Sequence, residues 1–239
     1  GNFKRIEKAL WSGILMGASF MAVVSTAFTL FPGFFLGLYT DNAAIIREGY
    51  PKLLMNNWGF ILDTANTVST CCLRGMRYSS GPALINMGAV CGVRLIWVLF
   101  VFPYLPQTLG YLCIAYPISW GISAAIMLSY FFRVKKREEQ KYLQEQHKKG
   151  WKFLKVTGIG TYHFEECQPE DVVYQLDYNQ EGSSDKAEYI RMFADCGWDY
   201  IQEFFGYSYF RKRAADMNGE EEIFSDDSSR LAMMERVYK

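Results

Sequence analysis

Asp63 is the residue best placed to do chemistry in this chain, because it is the only charge in the twenty-one residues between Lys52 and Arg74. A carboxylate in the middle of an apolar run is costly in lipid, and such groups usually face a bundle interior where they handle ions or protons. Asn56, Gly59, Asp63, Asn66, Thr67, Thr70 and Arg74 recur at steps of three and four, which places them on one helical face. That face forms either a path for an ion or substrate or a hydrogen-bonded seam between helices.

The elements that must position Asp63 follow from where charge is missing. Ala9 to Thr40 carries none, Leu53 to Leu73 carries only Asp63, and Tyr78 to Phe132 carries only Arg94. About 20 apolar residues span a bilayer core. The runs therefore predict four membrane helices near 9–39, 50–73, 80–102 and 108–132, with a turn at Pro103 and Pro106. The first is long enough to break at Pro32-Gly33. Gly13 and Gly17 offer a close helix approach. Arg94 either snorkels to an interface or pairs inside the bundle. Pro117 is expected to kink the fourth helix and free a carbonyl.

The 25 basic and 25 acidic residues cancel in sum but not in place, since most lie beyond Arg133. The expected division is a membrane domain over 1–137, a soluble domain over 138–213, and an acidic linker with an amphipathic helix over 214–239. Lys4, Arg5, Lys8, Arg74, Arg77, Arg133, Lys135, Lys136 and Arg137 flank the membrane helices on one side, against Arg47 and Lys52 on the other. The positive-inside rule then places both ends of the chain in the cytoplasm, as a multi-pass protein of the cell (inner or plasma) membrane. The chain opens on Gly1 and reads as a fragment. Its six cysteines are expected as free thiols, and its two histidines make no ligand cluster.

In the second half, Arg133 to Lys149 reads as an exposed helix running on from the membrane. A pattern then occurs twice: Gly150-Trp151 and Gly197-Trp198 each follow a helical segment, and each precedes two strands with a glycine turn. Glycine ends each helix and Trp begins the sheet core. Val172 to Tyr178 supplies a connecting strand, and Asp185 to Ala194 the second helix. The expected architecture is α+β, a duplicated helix–strand–strand unit on an antiparallel sheet. His163, Glu165, Glu166 and Asp177 read as surface groups rather than acid–base machinery, and Arg211-Lys212-Arg213 as a solvated basic end. Ser228 to Tyr238 reads as an amphipathic helix that docks on a partner, on its own domain or on a continuation past Lys239. No enzyme, organic cofactor or nucleic-acid partner is expected.

The residues also carry resemblances. Leu73-Arg74-Gly75-Met76, Pro82, Gly92-Val93-Arg94-Leu95-Ile96-Trp97 and Tyr116-Pro117-Ile118-Ser119-Trp120 resemble the end of a multidrug and toxic compound extrusion (MATE) transporter. The resemblance covers 1 to about 137 and implies helices nine to twelve of twelve, a partial lobe of an α-helical membrane bundle lacking its N-terminal lobe. It further implies export of an organic cation or drug-like substrate driven by Na+ or H+ entry. It carries cation coupling over to Asp63, ten residues before Leu73, with Na+ at Asp63 as the sole metal considered. Gly150-Trp151, Leu176-Asp177-Tyr178, Gly197-Trp198 and Tyr209-Phe210-Arg211-Lys212 resemble an uncharacterised bacterial domain family over about 140–239. The competing reading is a membrane-anchored interaction or sensory protein in which four helices only localise the soluble module.

Overall fold

A computed structural model describes residues 3–38, 40, 42–106, 108–158, 160–178 and 186–217. They fall into two compact units, one holding Ile6–Val134, the other the residues up to Arg5 and those from Lys135 onward.

The first unit is helical throughout. The uncharged first run and the charged residues before it form α1, Phe3–Leu30, which stops at Phe31, whose backbone is non-helical ahead of Pro32. The chain restarts as α2, Pro32–Gly37, so the expected 9–39 helix is two pieces. Helix α3 spans Ala43–Gly75, so it begins ahead of the expected 50–73 helix and takes in Arg47 and Glu48. Gly13 and Gly17 meet this helix: a Cβ on Gly13 would lie 3.0 Å from Val68, and one on Gly17 2.5 Å from Thr64. The small-residue pair therefore serves helix packing. Helix α3 ends in a Schellman-type turn, with Tyr78 N–H bonding the Leu73 carbonyl at 3.0 Å and Arg77 left-handed at φ 70°.

The next span is continuous but irregular. After α4 (Ser80–Asn86) the hydrogen bonding widens to π over Met87–Gly92, tightens in α5 (Val93–Ile96), and widens again over Trp97–Val101. The fourth span is broken: α6 is Leu109–Cys113 and α7 is Ala115–Lys148. Proline at 117 has no N–H for the carbonyl one turn back and clashes with it, which puts the break there. The Tyr111 carbonyl in that broken turn accepts the Trp97 indole N–H at 3.1 Å. Leu10, Leu73, Met127, Phe131 and Val134 form the unit's buried core.

Among the described residues, three helical stretches are long and apolar enough to cross a membrane: Phe3–Leu30, Ser80–Tyr104 and Gly110–Lys148. Four were expected. Helix α3 has the length, but the amides and hydroxyls between Asn56 and Thr70 hold it out of that set.

The second unit is α+β. Helix α7 runs unbroken to Lys148, but its last turns are not solvated all round. Lys135, Glu139, Leu143 and His147, each four residues from the next, are buried. The exposed-helix reading is corrected on that stripe, which packs on the domain core. Gly150 and Gly197 end α7 and α8 (Lys186–Asp195) at φ 88° and 79°. The amphipathic segment Ser228 to Tyr238 lies outside the described residues.

Instead of one sheet there are two. Strands β1 (Trp151–Thr157) and β2 (Thr161–Glu166) pair antiparallel. Strands β3 (Val172–Tyr178), β4 (Asp199–Phe204) and β5 (Tyr207–Arg213) form a second antiparallel sheet in the order β3-β5-β4. A register shift between Phe153 and Lys155 turns β1 so that Phe153 and Val156 face inward. Trp151 is left 45% exposed, against the expectation that both Trp residues begin the core; Trp198 is buried. Central strand β5 is covered on both faces. Tyr209 joins Leu143, Phe153, Tyr174 and Leu176, while Phe210 stacks on Phe193 beside Trp198.

Candidate functional site

Asp63 is half-buried in the middle of α3. One turn later Asn66, 5% exposed, turns its amide toward it, with Asn66 Nδ2 3.4 Å from Asp63 Oδ1. The same amide nitrogen donates to Asn86 Oδ1 of α4 at 2.9 Å. From α7, the Ser123 hydroxyl reaches Asn66 Oδ1 at 3.2 Å and Asn86 Oδ1 at 3.1 Å. Three helices thus meet at four oxygen-bearing side chains. Glycine at 59 brings α7 close, since a Cβ there would lie 2.7 Å from the Trp120 ring.

The polar face expected along α3 divides. Gly59, Asn66 and Thr70 are buried, Asp63 and Asn56 are half-buried, and Thr67 and Arg74 are exposed. Seven residues spread over too wide an arc for one neighbour to cover, so Thr67 and Arg74 leave the seam. Asn56 Oδ1, Asn57 Nδ2 and Thr70 Oγ1 are buried with no hydrogen-bond partner among the described residues. A buried polar atom left so costs about 1–3 kcal/mol unless a water, ion or ligand supplies the bond.

Arg94 takes a different partner from the one its charge suggests. Its Nε donates to Ser119 Oγ at 3.2 Å, and its guanidinium lies 4.3 Å over the Tyr116 ring and 5.7 Å from the Trp120 ring. Ser119 in turn donates to the Tyr116 carbonyl at 2.8 Å. Leu73 sits in the buried core and Gly75 is the last residue of α3.

Asn86, Ser119 and Ser123 were missed as site residues. They are uncharged groups inside long apolar runs; the four-residue step from Ser119 to Ser123 could have found the two serines, and no such signal marks Asn86. No cluster of three or more His, Cys, Asp or Glu occurs among the described residues. The donor set is hard oxygen, suited to a proton or a hard cation and poorly to a soft one.

The second unit holds its buried charges differently. Glu139 Oε1 accepts the Tyr162 hydroxyl at 2.5 Å and the Tyr209 hydroxyl at 2.6 Å. Burial, then the Glu139 charge, pushes both phenols well above the usual tyrosine range. His147 Nδ1 lies 2.7 Å from the Tyr174 hydroxyl, which also accepts the Phe153 N–H at 3.3 Å. Burial, then the Arg211 charge, holds His147 below its ordinary value. A neutral ring accepts the Tyr174 proton at Nδ1 and carries its own at Nε2.

Two surface assignments are corrected here. Asp177 is buried and accepts the Tyr189 hydroxyl at 2.6 Å. The basic end is not solvated as a run. Lys212 is buried and donates to the Cys196 carbonyl past the end of α8 at 3.0 Å, while Arg211 pairs with Asp199 and Arg213 with Glu170. His163 remains at the exposed β1–β2 hairpin, 2.6 Å from the Thr157 hydroxyl, and Glu165 and Glu166 are exposed.

Comparison with known proteins divides the chain at the same place as its charge. Residues 1–100 match the family model described as MatE, and residues 135–239 match that of a protein of unknown function (DUF2812). A probable multidrug resistance protein NorM from Rhizobium meliloti (strain 1021) is 27% identical over 146 residues, which is 57% of this chain. The match spans 30% of that relative's own length. No solved structure matches significantly. The chain is therefore a membrane protein whose first part resembles a partial MATE segment and whose second resembles the DUF2812 domain.

Proposed function

We propose that this chain is the C-terminal segment of a Na+- or H+-coupled multidrug efflux antiporter, fused to a cytoplasmic accessory domain, with Asp63 as the coupling group. The observation that carries the reading is the meeting of Asp63, Asn66, Asn86 and Ser123 from three helices. A carboxylate beside amide and hydroxyl oxygens is what a dehydrated hard cation, or a proton on its way through, requires. Asn56 Oδ1 and Thr70 Oγ1 extend this set along α3 as further open acceptors. Thr67, on the exposed side of the same helix, has no place in it.

In this reading the exported substrate is an organic cation or drug-like molecule, and the transporter's N-terminal lobe completes the path. The loop charges orient both ends toward the cytoplasm of an inner or plasma membrane, where the accessory domain meets a protein partner. A plain anchor has no use for a network of four polar side chains, two of them buried, which favours transport over localisation alone.

The test is export of an organic-cation dye from liposomes holding the segment assembled with its missing lobe, under imposed Na+ or H+ gradients. Asp63→Asn should abolish the response to the gradient, and Asn66→Ala and Ser123→Ala should weaken it. Export that follows the gradient equally well with Asp63→Asn removes Asp63 from the coupling role.

A further inference from the structure

The accessory unit contains more than the accessory sequence, because the start of α1 belongs to it. Phe3 is buried there, its ring edge-on to Tyr142 of α7 at 5.8 Å, and Tyr142 packs against the domain's main core. Lys4 is held next to it. Its Nζ lies 4.3 Å from the Phe204 ring centre and 3.8 Å from that of Phe205. The two rings stand at 84° to each other and form a corner around the ammonium. On the other side is the β1–β2 hairpin, where a Cβ on Gly160 would collide with the Lys4 stem.

Phe205 is an odd residue for its position. It is 74% exposed and has a left-handed backbone at φ 50°, in a turn where glycine or asparagine is the unstrained choice. A large ring placed in solvent at a conformational cost has no folding rationale within its own hairpin. Over a cation it has one.

We propose that the tips of the two hairpins form a clasp for the basic start of α1. The domain of unknown function then ties the first helix of the membrane segment to the extended end of α7. Phe3 supplies the apolar anchor, Lys4 the cation that the aromatic corner selects, and the missing side chain of Gly160 the room for its stem. The duplicated unit gains a purpose, since each copy contributes one hairpin tip. The clasp requires no transport and no bound ion, so its test stands apart from that of Asp63.

The test is the acylation rate of lysines in the full chain in detergent micelles, read by mass spectrometry, with exposed Lys8 as internal reference. Lys4 is expected to react at least about twofold more slowly than Lys8, the least protection that a cation–π contact at an exposed site gives. Phe205→Asn removes the ring while suiting the left-handed backbone, and Phe3→Ala removes the anchor. Each should bring Lys4 to within about twofold of Lys8. Equal rates for Lys4 and Lys8 in the unsubstituted chain overturn the clasp. So does protection of Lys4 that survives both substitutions.

Discussion

Glu139 offers the sharpest test of how the soluble domain is held together. It is 4% exposed, and two phenols converge on one of its oxygens, Tyr162 at 2.5 Å and Tyr209 at 2.6 Å. Removing the Tyr209 hydroxyl in Tyr209→Phe changes little volume but strips one charge-assisted bond, at a cost of about 1.5–3 kcal/mol. In a domain of roughly 100 residues each kcal/mol moves the melting temperature by about 4–8 °C, so a 2 kcal/mol loss lowers it by roughly 8–16 °C. Thermal unfolding of the chain in detergent, followed by amide exchange at β3 and β5, reads that transition apart from the helices. The charge can then be isolated by a double-mutant cycle. In a Glu139→Gln background the phenol meets a neutral acceptor, and Tyr209→Phe should cost only about 0.5–1.5 kcal/mol. Adding Tyr162→Phe to Tyr209→Phe leaves the carboxylate buried and bare, for a combined cost near the 3–5 kcal/mol seen when a buried charge loses its partner. The same cost for Tyr209→Phe in both backgrounds would refute the reasoning, because the carboxylate charge would then not be what the phenol stabilises.

Three further outcomes follow from the same geometry. Tyr162 and Tyr209 are shifted upward in the folded state, so above the ordinary tyrosine pKa of about 10 the unfolded chain loses protons that the native one keeps, and stability falls as pH rises past that point. Absorbance at 295 nm should show neither phenol ionising with the exposed tyrosines, and Tyr162→Phe with Tyr209→Phe should leave the native titration amplitude unchanged. His147 is shifted downward by burial, with Arg211 and Lys152 adding to the shift and Glu170 opposing it, so below about pH 6.5 the unfolded state binds a proton the native one refuses. The domain should lose stability as pH falls through that value, and His147→Gln should flatten the dependence in a pH series of melting curves. Gly17→Leu inserts a side chain where a Cβ already meets Thr64 at 2.5 Å, and should cost about 1–3 kcal/mol in denaturation of the membrane unit, whereas Gly33→Leu, with open space around it, should cost little.

What the sequence made legible were features set by one residue at a time. Charge-free runs marked three spans, and glycines at 150 and 197 marked the helix ends. The features it hid are set by pairs. Asn86 and Ser123 lie in apolar runs as unremarked polar residues, and only their approach to Asn66 from two other helices gives them a role. Lys135, Glu139 and His147 were read as solvent-facing because they are polar, although their four-residue step is the spacing of a buried stripe. Composition outweighed period there. The single sheet expected from two hairpins and a strand became two because β3 pairs with β5 alone, and register across a sheet is a long-range choice that local alternation does not fix.

Both units hold buried polar atoms without a partner among the described residues, and they differ in how their ionisable groups are paired. In the second unit four buried ionisable groups have partners, Glu139 in two phenol donors, Asp177 in Tyr189, His147 in Tyr174 and Lys212 in a helix-end carbonyl, while Gln140 Nε2 and Gln202 Nε2 are buried with no hydrogen-bond partner among the described residues. Paired buried networks of this kind rigidify a core. In the membrane unit Asp63 has one amide at 3.4 Å, longer than a strong charge-assisted bond, while Asn56 Oδ1 and Thr70 Oγ1 have no partner among the described residues. What sets the Asp63 region apart is an ionisable group whose hydrogen bond among the described residues is a single long one. That is the ground on which we propose Asp63 as the place of the coupling ion or proton, since an incoming positive charge would meet a half-buried carboxylate that holds only this long amide contact.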